Sequence, residues 1–167
     1  GAGYWGPNVA NSFKSTGRAD VTWICDLNPA SRDAFKKRHP NIKTTERFAD
    51  VLEDASVDAV AVVTPTNTHF RIAKAALEAG KHVYCEAPMA HDIDDARAIA
   101  NAAQSAPKLN FQVGLQTRSD PQRHFLIQFL RTGVMGKNAL AKGQWHKKTS
   151  WRRVSPNAAR QKELNWR

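Results

Sequence analysis

Between residues 20 and 115, short β-branched or apolar runs alternate with amphipathic stretches, and that alternation restricts the chain more than any other feature. Val21-Thr22-Trp23-Ile24-Cys25 reads as a strand that stops at Asp26-Leu27-Asn28-Pro29, a turn and helix-start signal. Residues 30–38 read as a short helix ending before Pro40, followed by a short strand near Ile42-Lys43-Thr44. Thr45 can cap a helix over 46–53. From Asp58 to Val63 the chain is almost continuously apolar, the pattern of a parallel strand buried on both faces. A helix over 68–79 buries Ile72, Ala73, Ala76 and Leu77 at helical spacing and stops at Gly80, a suitable C-terminal cap. Next come a strand over 82–86 and a helix over 92–105 that begins at Asp92. That helix sets Ile93, Ala96, Ile99, Ala100 and Ala103 on one face, and a strand over 109–115 closes the series. Such alternation predicts an α/β fold, a Rossmann-like doubly wound parallel sheet with right-handed crossovers.

The chain opens on Gly1-Ala2-Gly3-Tyr4-Trp5-Gly6, a Gly-x-Gly-x-x-Gly pattern. In such a loop the first glycine permits a tight turn and the second lets backbone approach a pyrophosphate. The third lets the following helix pack close to the sheet. Pro7 suits the first helical turn, and the helix N-terminus offers N–H donors to phosphate. A loop of this kind normally follows a strand, so the first strand is expected before Gly1 and the chain reads as an internal fragment. Asp26 ends its strand 20 residues beyond Gly6. A carboxylate there accepts from both hydroxyls of an adenosine ribose and repels a 2′-phosphate, and the nearest following arginine is Arg32. NAD is therefore expected rather than NADP. Alone, the glycines suit a ligand-free turn and Asp26 a helix cap; their spacing favours the cofactor.

Ala79-Gly80-Lys81-His82-Val83-Tyr84-Cys85-Glu86-Ala87-Pro88 resembles the AGKHV-x-CEKP signature of the glucose-fructose oxidoreductase and inositol dehydrogenase (Gfo/Idh/MocA) family. The likeness extends through the glycine loop, Asp58-Ala59-Val60, Thr64-Pro65-Thr66-Asn67-Thr68-His69, Arg118, Gly133 and Gly136-Lys137, in the family's order. It implies a dinucleotide-binding Rossmann domain over 1–116 and, over 117–167, the start of a truncated α+β domain for substrate and oligomerisation. Relatives run to more than twice this length. By the resemblance, Gly1, Gly3, Tyr4, Trp5, Gly6 and Asp26 hold the cofactor, and Thr64, Pro65, Thr66, Asn67 and His69 line the path from adenosine to nicotinamide. Glu86 and Pro88 sit at the nicotinamide end. The family's lysine, which reaches the substrate hydroxyl, is here Ala87, so the catalytic base is left open. Loss of such a general acid–base group costs roughly 100- to 10,000-fold in rate. The aspartate-to-histidine motif that assists catalysis in the family would lie beyond residue 167. His69 itself reads as structural rather than catalytic, as do Lys81 and His82.

Charge supports the same division. Residues 1–116 carry 13 basic and 13 acidic side chains, whereas 117–167 carry 12 basic and two acidic ones, so the net +10 lies wholly in the tail. A neutral first part argues against a dedicated nucleic-acid binder. The tail's Trp145-His146-Lys147-Lys148, Trp151-Arg152-Arg153 and Trp166-Arg167 could stack on sugars and hold hydroxyls or an acid group. Equally, they could belong to a solvated strand and loop of the second domain. A helix over 120–132, with Phe125, Phe129 and Leu130 on one stripe, is expected to pack on protein. Cys25 and Cys85 fall in expected strands, as reduced buried thiols of a cytosolic protein do. No Cys/His spacing suggests a metal, and no apolar run suggests a membrane span.

The resulting expectation is a cytoplasmic, NAD-dependent oxidoreductase acting on a sugar, cyclitol or polyol, homo-oligomeric through its second domain. The alternatives are a dinucleotide-binding module without ordinary dehydrogenase chemistry, and glycoside cleavage assisted by tightly held NAD.

Overall fold

The computed structural model describes residues 1–137, 139, 140, 142 and 143. The tryptophan-rich basic segments of the tail lie outside these residues. Gly1–His124 form one compact unit, and the chain from Phe125 belongs to a second. The first unit runs α1 (Gly6–Ser15), β1 (Trp23–Cys25), α2 (Pro29–Arg38), β2 (Lys43–Thr45), α3 (Phe48–Glu53) and β3 (Ala59–Val62). It continues with α4 (His69–Glu78), β4 (His82–Cys85), α5 (Ile93–Ser105) and β5 (Phe111–Val113). Short 3-10 turns precede α4 (Thr66–Thr68) and follow β5 (Gln116–Ser119), and α6 (Pro121–Arg131) contains the division between the units.

Every ladder is parallel. Ile24 lies opposite Thr44, Val60 opposite Val83, and Tyr84 opposite Gln112. The strands form two sheets, β1–β2 and β3–β4–β5. Between them lies a cavity of about 420 Å³ bordered by Val9, Ala10 and Phe13 of α1, Ile24, Val57 and Val60. The Rossmann-like expectation is met: the strands are parallel and alternate with helices.

Two apolar cores hold the unit together. Val62, Ala73, Ala76, Leu77, Val83, Cys85 and Ile99 join the larger sheet to α4 and α5, while Ala2, Ala10, Ile24, Phe35 and Ile42 form the other. Gly80 ends α4 at φ +75°, where any residue with a Cβ would be strained. Asp92 caps α5, its side chain accepting from the Asp95 N–H at 2.8 Å.

Some expectations need correction. The strand over 58–63 is not buried on both faces: Ala59 and Ala61 are exposed, because that strand borders the open cavity. Ile93 is 70% exposed at the first position of α5, where the helix has not yet turned onto the core, and Ile99 alone of its expected stripe is fully buried. Thr45 does not cap the next helix. It is the last residue of β2, its hydroxyl accepts from the Arg47 N–H at 3.0 Å, and α3 begins only at Phe48. Phe125, Phe129 and Leu130 are exposed among the described residues, with Phe125 and Phe129 stacked on each other.

Asp54, just after α3, ties the smaller sheet to the loop before β3. Trp23 Nε1 and Lys43 Nζ donate to its Oδ2 at 2.8 and 2.9 Å, and the Ser56 hydroxyl and N–H donate to Oδ1. These donors, the Ser56 hydroxyl foremost, hold its carboxyl well below the usual carboxylate range. Because the folded value is depressed, the stabilisation is complete above about pH 4 and fades as pH falls below it. Urea unfolding should therefore show a loss of stability between pH 4 and pH 2 that is smaller in Asp54→Asn. The same slope in both proteins would refute the assignment.

Candidate dinucleotide site

Parallel pairing releases every strand of a sheet at the same edge, and side chain–backbone bonds hold the chain that leaves it. At the end of β1, Asp26 Oδ2 accepts from the Ala2 N–H at 2.6 Å and Oδ1 from the Asn28 N–H at 2.8 Å. The carboxylate is thus moored to the glycine loop. Gly1 and Gly6 have no room for a side chain, since a Cβ would collide with the carbonyl of Val63 at Gly1 and with that of Gly1 at Gly6. Gly3 is different: nothing lies within 4 Å of where its Cβ would be. The loop is packed on the protein at both ends and open in the middle, as a backbone cradle for a phosphate requires. Tyr4 and Trp5 are exposed on that loop.

Arg32 is closer to Asp26 than its place in the sequence suggests. Asn28 caps α2 by accepting from the Ala30 N–H, and the helix brings Arg32 back so that Nη1 donates to the carbonyls of Asp26 (2.6 Å) and Leu27 (3.2 Å).

At the end of β3, the Thr68 hydroxyl donates to the Pro65 carbonyl at 2.7 Å and lies 2.7 Å from Thr64 Oγ1. Thr66 and Asn67 form the 3-10 turn leading into α4. His69 points inward and is 2% exposed. Its Nδ1 lies 2.8 Å from the Pro88 carbonyl and its Nε2 2.7 Å from the Thr64 carbonyl. Carbonyls only accept, and a neutral imidazole has one N–H, so a neutral ring donates to one of the two at a time. His69 braces the chain leaving β3 against the chain leaving β4.

At the end of β4, Glu86 Oε1 accepts from Tyr84 Oη at 2.9 Å and from Trp5 Nε1 at 3.0 Å. Burial first, then Glu86, pushes the Tyr84 phenol up to about 12, so it remains a donor. A Cβ on Gly114 would lie 2.9 Å from the Tyr84 hydroxyl and 3.1 Å from Glu86 Oε2. Ala87 and Pro88 follow, exposed and joined by a cis peptide bond. Tyr84, Gly114 and Ala2 were not among the sequence-derived site residues. Tyr84 could have been found, because residues two apart on a strand share a face, whereas Gly114 and Ala2 carry no local signal. Lys81 and His82 lie at the opposite end of β4, where Lys81 Nζ donates to the Asp54 carbonyl and His82 Nδ1 accepts from the Asn110 N–H.

The family model for the Gfo/Idh/MocA oxidoreductases, described as an oxidoreductase family with an NAD-binding Rossmann fold, matches residues 1–115. The chain belongs to this family. It is 29% identical over 125 residues to an inositol 2-dehydrogenase/D-chiro-inositol 3-dehydrogenase of Lactiplantibacillus plantarum, covering 74% of this chain and 36% of that protein. It is 33% identical over 121 residues to an inositol 2-dehydrogenase of Rhodococcus erythropolis, covering 72% and 35%. Among solved structures, scyllo-inositol dehydrogenase of Lactobacillus casei with bound NAD(H) and scyllo-inositol superposes with a TM-score of 0.75 at 29% identity, over 81% of this chain and 40% of that one. The WlbA dehydrogenase of Bordetella pertussis in complex with NADH and UDP-GlcNAcA gives 0.76 at 26% identity, over 82% and 39%. The chain thus spans well under half the length of these relatives. No helix of the described residues is long and apolar enough to cross a membrane.

The His69 brace yields a stability prediction. Replacing His69 with alanine removes its contacts with the Thr64 and Pro88 carbonyls and leaves a void, for an expected cost of roughly 2–4 kcal/mol. Urea unfolding at neutral pH measures it, and a cost below about 1 kcal/mol would show that the brace contributes little.

Proposed function

We propose that this chain is the cofactor-binding part of an NAD-dependent oxidoreductase that oxidises a carbinol of a cyclitol, sugar or related polyol. The observation that carries the reading is the Asp26 carboxylate, moored at the end of β1 beside the glycine loop by the Ala2 N–H. The residues present suit the dinucleotide: Gly1 and Gly6 are closely packed, Gly3 is open, and α1 begins at Gly6 with Pro7 in its first turn. The α1 N-terminus would face the pyrophosphate. Asp26 would accept from the adenosine ribose, and Thr64, Pro65, Thr66 and Asn67 would border the path toward Glu86 and Pro88. His69 would act from beneath, by holding that border in place. When bound, the dinucleotide would supply the acceptor for the hydride that the carbinol carbon loses. Substrate choice is inferred from the inositol dehydrogenases among the relatives.

NAD is expected to bind more tightly than NADP, because a 2′-phosphate would meet the Asp26 carboxylate. Arg32 does not reverse this, since its Nη1 is committed to the Asp26 and Leu27 carbonyls. Calorimetric titration of the full-length protein with both cofactors decides the point, and equal or tighter NADP binding would overturn the preference.

Ala87 supports a second reading, a dinucleotide-binding module without ordinary dehydrogenase activity, because a methyl group neither takes nor gives a proton. The test is NADH formation over a panel of cyclitols, sugars and glycosides by the natural protein and Ala87→Lys. A gain of roughly 100-fold or more from lysine is expected if the remaining site is that of a dehydrogenase. Fast oxidation without a gain would place the base elsewhere. Glycoside cleavage without net NADH would favour transient oxidation, and silence from both proteins would favour the binding module.

A further inference from the structure

The hydrogen bond between Trp5 and Glu86 joins positions 81 residues apart and has no evident part in holding the fold. The glycine loop's backbone is already anchored without it. Asp26 holds the Ala2 N–H, Gly1 packs on the Val63 carbonyl, and the Trp5 carbonyl accepts from the Asn8 and Val9 N–H groups at the start of α1. What the indole N–H adds is a tie between two side chains, with Trp5 itself 44% exposed at the sheet's ligand edge. The tie starts on a loop packed against the end of β3 and finishes at the end of β4.

Its far end is fixed from several sides. Tyr84 Oη donates to the same Glu86 oxygen at 2.9 Å. The Tyr84 ring is in turn met edge-on by Phe13 of α1, with centroids 5.7 Å apart. Gly114 fits close behind the pair, leaving no space for a side chain. Two donors therefore hold Oε1, and the carboxylate cannot turn freely.

We infer that Trp5 is a positioning residue: through its indole N–H it holds its own ring and the Glu86 carboxylate in place at the nicotinamide end of the site, before the cofactor arrives. The inference rests on the dinucleotide reading above and adds to it a residue that acts on one half of the ligand. Because the loop backbone is anchored separately, the pyrophosphate and adenosine contacts do not depend on the tie. Loss of the tie should weaken ligands that carry nicotinamide and spare those that do not.

The test is calorimetric binding of NAD and of ADP-ribose, which lacks the nicotinamide, to the full-length protein and three variants. Trp5→Phe keeps an aromatic ring but removes the donor. It should weaken NAD about five- to tenfold, the size of one lost hydrogen bond, and change ADP-ribose less than about twofold. Glu86→Gln keeps an acceptor oxygen and should lose less NAD affinity than Glu86→Leu, which should match Trp5→Phe. Equal losses for both ligands in Trp5→Phe, or no loss for NAD, would overturn the inference and leave the cofactor reading standing. So would a Glu86→Gln loss as large as that of Glu86→Leu. A natural protein that binds neither ligand would overturn the cofactor reading and the inference together.

Discussion

Parallel pairing is the constraint from which the rest follows. With β1 beside β2, and β3, β4 and β5 in a second ladder all running the same way, each strand must be returned by a helix, and every strand ends at one edge. Asp26, Glu86 and Gly114 are far apart in sequence but each follows the last residue of a strand, and Thr64 comes two residues after the end of another. Backbone leaving a sheet has N–H and C=O groups that the ladder no longer pairs, and these need partners. Here side chains supply several: Asp26 takes the Ala2 N–H, and His69 faces the Thr64 and Pro88 carbonyls. The groups that close the fold at this edge also shape the candidate site, so under the proposed reading cofactor contacts and fold stability would share residues there.

This sharing explains what could be read in the sequence. The alternation of strands and helices was legible because burial imposes it locally. The apolar face of α4 shows helical spacing, and Gly80 and Asp92 mark a helix end and a helix start with their own chemistry. Less could be read where a residue's state depends on a neighbour distant in sequence. Ala59 and Ala61 look like core and are exposed, because exposure at that strand is set by what lies beside it in the sheet. Ile93 carries the right spacing but sits one turn too early on α5 to reach the core.

The candidate site divides in the same way. Gly1, Gly6 and Asp26 were legible because their spacing along the chain is itself the signal. The structure then adds the mooring of Asp26 to the loop and the near approach of Arg32, which the first turn of α2 brings back over the strand end. His69, expected to be structural and, by the resemblance, to border the cofactor path, is buried between the Thr64 and Pro88 carbonyls. The pairing of Trp5 with Glu86, and the close fit of Gly114 behind Tyr84, have no local signature at all.

Ala87 is best understood against this background. The positions around it are constrained by geometry: Glu86 by two donors, Pro88 by the His69 brace, and Gly114 by steric fit. Ala87 is exposed and carries no such obligation, so the residue there is free of the core and of the hydrogen bonds at the strand end. Chemistry and architecture are separable at this one position. A chain can therefore keep the full cofactor framework while its proton-transfer chemistry is lost or assigned to another group. In such a framework an intact glycine loop and ribose carboxylate speak for the cofactor, and the reaction must be argued from the group that handles the proton.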